Sequence, residues 1–239
     1  MKSSRQKTKS FNFKQFSIEG GHSGMPVSTD GVLLGSWAYV ENINTLLDIG
    51  TGTGLLALMS AQRNDQLAIT AVDIDRSAIE SAQYNFQASP WQERLKLLEG
   101  NILELNFDSQ YDGIVCNPPY FNSGEQSANE QRAIARHTNS LSHHALLRRC
   151  YDLTTPSGLA SFILPLVEGE QFIALASDLN WYIRRLCYVK TTKTKDPSRL
   201  LIELSKVKAE PQESTLTIHS NDGYSDEFRS LTQNFYLKM

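Results

Sequence analysis

The chain has 239 residues, 40% hydrophobic and 21% charged, with a net charge of −3. That is room for one domain with a large core, in the composition of an ordinary globular protein. No stretch approaches the ~18 apolar residues a transmembrane helix needs, and the bulk charge does not announce a polyanion partner.

Residues 1 to 16 are polar and basic, carrying Lys2, Arg5, Lys7, Lys9 and Lys14 without an acid, and read as a mobile arm ahead of a single domain, 17 to 239. Phe11, Phe13 and Phe16 alternate, which predicts a short strand docking on the body. Gly20, Gly21, Gly24 and Pro26 form a loop. From Thr45 apolar runs alternate with helical patterns. Strands are predicted over 45–49, 67–72 (running to Asp73), 95–98, 111–116 and 159–164. Helices are predicted over 54–63, 76–88, 140–154 and 168–178, with Pro156 and Gly158 beyond the end of the third. Two final strands, 183–190 and 199–207, pair antiparallel across the 191–198 turn. Residues 208–223 read as loop, and the tail 224–239 packs back on the body. Strands alternating with helices predict an α/β, Rossmann-like fold: a mostly parallel sheet with helices on both faces and an antiparallel last strand.

Three features carry chemistry. The first strand ends in Asp48-Ile49-Gly50-Thr51-Gly52-Thr53-Gly54 and enters a helix. Glycines at a strand-to-helix turn let backbone approach a ligand, and ligands bind at the carboxyl ends of parallel strands. Asp73 ends the second strand, about 20 residues on, where a carboxylate can accept both hydroxyls of a ribose. Dinucleotide enzymes use G-x-G-x-x-G beside a pyrophosphate, where the extra carboxylate of Asp48 would be unhelpful. Beside the amine and sulfonium of S-adenosylmethionine it is favourable.

The third feature is Asn117-Pro118-Pro119-Tyr120, after the strand 111–116. Asn offers a neutral carbonyl acceptor, two prolines fix φ and remove two N–H donors, and an aromatic ring can stack on a flat substrate. Read alone, the tetrapeptide is equally a turn that ends a strand. Downstream of the glycine turn and two ordered acids, it reads as a clamp for a planar NH2. The Asn117 side-chain oxygen and the Pro118 carbonyl accept both amine hydrogens and aim the nitrogen lone pair, while Tyr120 stacks on the base. Positioning is then the main catalytic term. Neither metal nor strong base is needed, and the three cysteines and five histidines form no metal-like grouping.

The order of glycine turn, Asp48, Asp73 and NPPY resembles class I methyltransferases. STDGVLLGSWA, LLDIGTGTGLLALM, AVDID, NPPYF and the terminal FYLKM make the chain similar, over nearly its whole length, to the bacterial tRNA1(Val) adenine-37 N6-methyltransferase family. The resemblance implies a seven-stranded class I fold. It implies S-adenosylmethionine as cofactor and an anticodon-loop adenine of one tRNA as substrate. It places Asn101 against the cofactor adenine and Thr29 under its methionine part. Asn101 is alternatively a strand-ending turn, and Asp30 alternatively a helix N-cap. No obligate protein partner is indicated.

Release-factor glutamine methyltransferases share NPPY, because a side-chain amide also presents a planar NH2. They carry a helical domain before the glycine turn, whereas here 47 basic and aromatic residues precede Asp48. A DNA or ribosomal RNA amino-methyltransferase and a non-catalytic RNA-binding adaptor are the remaining alternatives. Two further basic clusters, Arg184, Arg185, Lys190, Lys193, Lys195, Arg199 and Arg132, Arg136, Arg148, Arg149, are candidate polyanion surfaces. Unpaired cysteines and the lack of an apolar leader lead to an expected cytoplasmic location.

Overall fold

The computed structural model describes residues 10–20, 27–119 and 141–238. The chain begins with β1 (Phe11–Asn12) and β2 (Ser17–Ile18), then α1 (Thr29–Trp37), β3 (Thr45–Ile49), α2 (Leu55–Arg63), β4 (Ala68–Asp73) and α3 (Arg76–Gln87). β5 (Leu95–Glu99), β6 (Tyr111–Cys116), α4 (His143–Leu153), β7 (Thr154–Pro165) and α5 (Leu166–Asp178) follow. The described chain closes with β8 (Tyr182–Thr192), β9 (Pro197–Ser205), β10 (Gln212–Ser220), β11 (Gly223–Tyr224) and α6 (Asp226–Thr232).

The main sheet has the order β11-β10-β8-β9-β7-β6-β3-β4-β5. β5, β4, β3, β6 and β7 run parallel, and β9 inserts antiparallel between β7 and β8. These are the seven strands of the expected α/β fold, the last of them antiparallel. The sheet is nonetheless nine-stranded. Residues 208–223, read from sequence as loop, contribute β10, parallel to β8, and β11, antiparallel to β10. The polar run Gln212–Thr215 hid this strand. Only Leu216 and Ile218 pack on the core, and backbone pairing at a sheet edge does the rest.

Buried strands read as near-continuous apolar runs because both faces are covered. On one face lie α1, α2 and Phe228 of α6, through Val32, Leu33, Leu58 and Met59. On the other lie α4 and α5, through Leu146, Leu147, Cys150 and Phe172. Strand β7 begins at Thr154, directly after α4, so Pro156 and Gly158 lie inside it, at a register shift opposite Tyr111 and Gly113. The prolines and glycines that stop a helix therefore mark an irregular strand entry here.

The alternating phenylalanines form a hairpin, not a single strand. Phe13 and Phe16 are buried, Phe13 bridges to Tyr236, and the Lys14 N–H donates to the Phe235 carbonyl at 2.8 Å. Lys14 Nζ, counted among the basic residues of the arm, donates to the Gln233 carbonyl at 2.6 Å. The tail thus packs back on the body. The other basic residues of the arm, and Arg132 and Arg136, lie outside the described residues. No described helix is long and apolar enough to cross a membrane.

Candidate active site

The carboxyl ends of β5, β4, β3 and β6 are neighbours in the sheet, and each ends in a residue singled out from the sequence. At about 4.8 Å per strand, Asp73 and Asn117 stand roughly 10 Å apart across β3.

The turn after β3 is built on left-handed backbone. Gly50, Gly52 and Gly54 have φ of 71°, 57° and 84°. A side chain at Gly50 or Gly52 would meet nothing within 4 Å, so these two face open space. At Gly54 a Cβ would stand 2.4 Å from Phe86 Cε1, so this glycine serves the packing of α2 against α3. The Gly50 and Thr51 N–H groups both donate to the Val72 carbonyl, locking the turn to β4.

Asp73 holds the same turn from the side. Its Oδ2 accepts the Gly52 N–H at 2.8 Å and its Oδ1 the Asp75 N–H at 2.9 Å. The Ile74 N–H also bonds this carboxylate, which with about four acceptor sites keeps room for a further donor. Burial pushes its carboxyl up from the ordinary value, against the bonds from Asp75 and Gly52.

Asp48 is fully buried beneath the turn. Thr51 Oγ1 donates to its Oδ2 at 2.6 Å, while Oδ1 is buried without a hydrogen-bond partner. Desolvation pushes the carboxyl up to about 7, opposed by the Thr51 hydroxyl and the Ala57 N–H and reinforced by Asp73. A buried carboxylate oxygen without a donor, beneath two glycines that face open space, fits a cationic ligand bearing a ribose.

Asn117 leaves β6 half-buried, Pro118 is buried and Pro119 exposed, while Tyr120 lies outside the described residues. The ring of His143, at the start of α4, hydrogen-bonds the Pro119 carbonyl and meets Phe172 edge-on at 5.2 Å. Burial holds this histidine below its ordinary value, against that bond. A neutral ring therefore braces the proline turn.

Asn101 spends its side chain locally: Oδ1 accepts the Leu103 N–H at 3.1 Å and Nδ2 donates to Glu104 Oε1 at 3.0 Å. It sits at the end of β5 beside Asp73, whose carbonyl accepts the Gly100 N–H at 2.8 Å. Thr29 is exposed in the first turn of α1. The N-cap of that helix is Ser28, whose Oγ accepts the Gly31 N–H at 3.0 Å, and Asp30 instead pairs with Arg199 at 2.8 Å. Because Arg199 lies near the start of β9, opposite Pro165, the pair holds the start of α1 over the carboxyl edge.

With this geometry in hand, comparisons with known proteins converge. Residues 27–148 match the family described as Methyltransferase small domain. A tRNA1(Val) (adenine(37)-N6)-methyltransferase from Vibrio vulnificus (strain CMCP6) is 59% identical over 239 residues, covering 100% of both chains. One from Aliivibrio fischeri (strain ATCC 700601 / ES114) is 53% identical over 232 residues, covering 97% of this chain and 99% of the relative. This chain belongs to the tRNA1(Val) (adenine(37)-N6)-methyltransferase family.

Solved structures share its fold. A predicted O-methyltransferase, Atu636, from Agrobacterium tumefaciens aligns with a TM-score of 0.67 at 16% identity, covering 86% of this chain and 96% of that one. The glycopeptide N-methyltransferase MtfA, complexed with S-adenosyl-L-methionine, aligns at 0.55 with 12% identity, over 76% and 100%.

Two supporting residues of this tRNA1(Val) methyltransferase family member escaped the sequence. Asn85 of α3 donates to the Thr53 carbonyl at 2.8 Å and accepts the Glu19 N–H at 2.9 Å, tying the glycine turn to the N-terminal segment. His143 braces the proline turn from 24 residues further along the chain. Both act across long sequence separations, and no local spacing announces them.

Proposed function

We propose that the protein methylates the exocyclic N6 of adenine 37 in the anticodon loop of tRNA1(Val), using S-adenosylmethionine, in the cytoplasm. The observation that carries this reading is the full-length likeness to curated tRNA1(Val) methyltransferases, joined to Asn117-Pro118 standing one strand from the glycine turn.

Asp48, Asp73 and the backbone at Gly50 and Gly52 are the groups that would hold the cofactor, with Asn101 and Thr29 at its two ends. Bound there, S-adenosylmethionine supplies a methyl group on a sulfonium. The work of the chain is to present the amine. The adenine amine is a poor nucleophile because its lone pair is delocalised into the ring. Asn117 Oδ1 and the Pro118 carbonyl each accept one amine hydrogen, which fixes the nitrogen and turns its lone pair towards the methyl, and the proton in excess on the methylated amine passes to solvent. Pro119 keeps the turn free of a competing N–H donor, and Tyr120 stacks on the base. The target adenine must be unpaired or swung out of its stack to reach this turn. The catalytic domain takes in the Phe11–Ile18 hairpin as well as residues 17–239, and of the basic arm Lys2, Arg5, Lys7 and Lys9 add phosphate contacts.

Transfer of a labelled methyl group to tRNA lacking the modification, with mass spectrometry of the digests, tests the reading. N6-methyladenosine in the anticodon-loop fragment is the expected result. Label in a release factor and none in tRNA would overturn it.

A further inference from the structure

The register of the sheet sorts the basic clusters. At Pro165, where β7 ends, the facing residues are Arg199 in β9 and Val189 in β8. Beyond Val189, β8 continues through Lys190 to Thr192, and β10 keeps pace, with Thr217 opposite Lys190 and His219 opposite Thr192. Three residues at about 3.3 Å each make an overhang of about 10 Å above the carboxyl edge. The overhang is the β8–β9 hairpin, three strand spacings, or about 14 Å, from Asn117 in β6. Lys193 and Lys195 are exposed at its tip and Lys190 is half-exposed below them.

The other described members of the two basic clusters are spent or lie away from the carboxyl edge. Arg185 is clamped on Glu203 and stacked over Trp37 at the far end of β8. Arg149 donates to the Ile102 and Leu105 carbonyls, and Arg148 faces Asp152. Arg184 and Lys208 are exposed at the amino edge of the parallel strands. Of the acids near the hairpin tip, Asp196 is in the turn itself and Asp30 is taken by Arg199. Asp222 and Asp226 stand at the β10–β11 corner, on the side away from β6.

We propose that the β8–β9 hairpin, through Lys190, Lys193 and Lys195, is the surface that grips the RNA phosphate backbone while the target base enters the Asn117 turn. The acidic corner beyond it confines the polyanion to the side facing the site. This rests on the RNA reading above and adds the place where the RNA is held. A phosphate contact contributes affinity and salt dependence but not chemistry.

The test uses the full chain and an RNA stem-loop with an unpaired loop adenine, measuring equilibrium binding and methyl transfer over a salt series. Lys193→Gln combined with Lys195→Gln is expected to raise Kd and KM for RNA about 10-fold. It should lower the slope of log affinity against log salt by about 0.7 to 0.9 per contact, with kcat and cofactor affinity unchanged. Lys193→Arg with Lys195→Arg should restore both. Arg184→Gln with Lys208→Gln, an equal charge change at the opposite edge, should leave both at wild-type values. Equal losses in the two Gln pairs, or none in the hairpin pair, would overturn the proposal. RNA bound through the hairpin but never methylated would overturn the functional reading instead.

Discussion

Asp48 shows how one side chain couples the site to pH. Its carboxyl, ordinarily at 3.8, lies at about 7 in the fold because burial removes its water. The folded state therefore keeps a proton that the unfolded chain releases between these values. Stability from this group is full below about pH 4 and falls as pH rises through 7, by roughly 4 kcal/mol in all. A cationic ligand beside Oδ1 favours the charged form, so cofactor affinity should rise as pH rises through about 7. Calorimetry in buffers of different ionisation enthalpy should show proton release on binding. Asp48→Asn should abolish most of that dependence, and a flat wild-type profile from pH 6 to 8 would reject the coupling. Asn117→Ala should lower kcat by about 10²- to 10³-fold, the scale of losing one preorganised polar contact, with cofactor affinity unchanged by calorimetry. The glycines separate ligand from packing. Gly52→Ala costs about 1–2 kcal/mol of strain and should weaken cofactor binding. Gly54→Ala adds a clash with Phe86, and denaturant unfolding should show a loss larger by about 2 kcal/mol.

At the level of elements, β3 through β6 and their turns were readable because each strand is a short apolar run that ends in a residue its motif singles out. Strand β10 was not, since Gln212, Glu213, Ser214 and Thr215 are all exposed and the strand is held by backbone pairing to β8. The same blindness covered the site's supports. Asn117 and Asp48 stand out by motif, but Asn85 and His143 are an ordinary helical asparagine and a helix-starting histidine until the fold brings them to the turns. The N-terminal hairpin was half legible: alternating phenylalanines announced burial, but not their partner Tyr236. Phe13 packs within 4.7 Å of Phe11 and Phe16 and 6.0 Å of Tyr236. Phe13→Ala should therefore cost about 3 kcal/mol in urea unfolding, within the usual range for a buried Phe. A loss under 1 kcal/mol would show that the hairpin is not part of the cooperative unit.

Across the whole molecule the two edges of the sheet divide the labour. The carboxyl edge carries the turns, the two acids and the lysine hairpin. The amino edge carries an ion pair that serves stability: Arg185 meets Glu203 at 2.6 Å, with Glu203 only 1% exposed and also reached by Ser161. Arg185→Met would leave that carboxylate buried and uncompensated. The expected cost is about 3 kcal/mol in thermal or urea unfolding, with KM for tRNA unchanged at a temperature where the variant is folded. A raised KM with unchanged stability would move Arg185 into the RNA surface. The contact between Phe13 and Tyr236 has a consequence in time. These residues lie more than 200 positions apart in the chain. At about 5–20 residues per second, a ribosome finishes Tyr236 roughly 10–45 s after Phe13. Strands β3 to β6 can assemble in the nascent chain during that interval, while the aromatic hairpin has Trp91 but still lacks Tyr236.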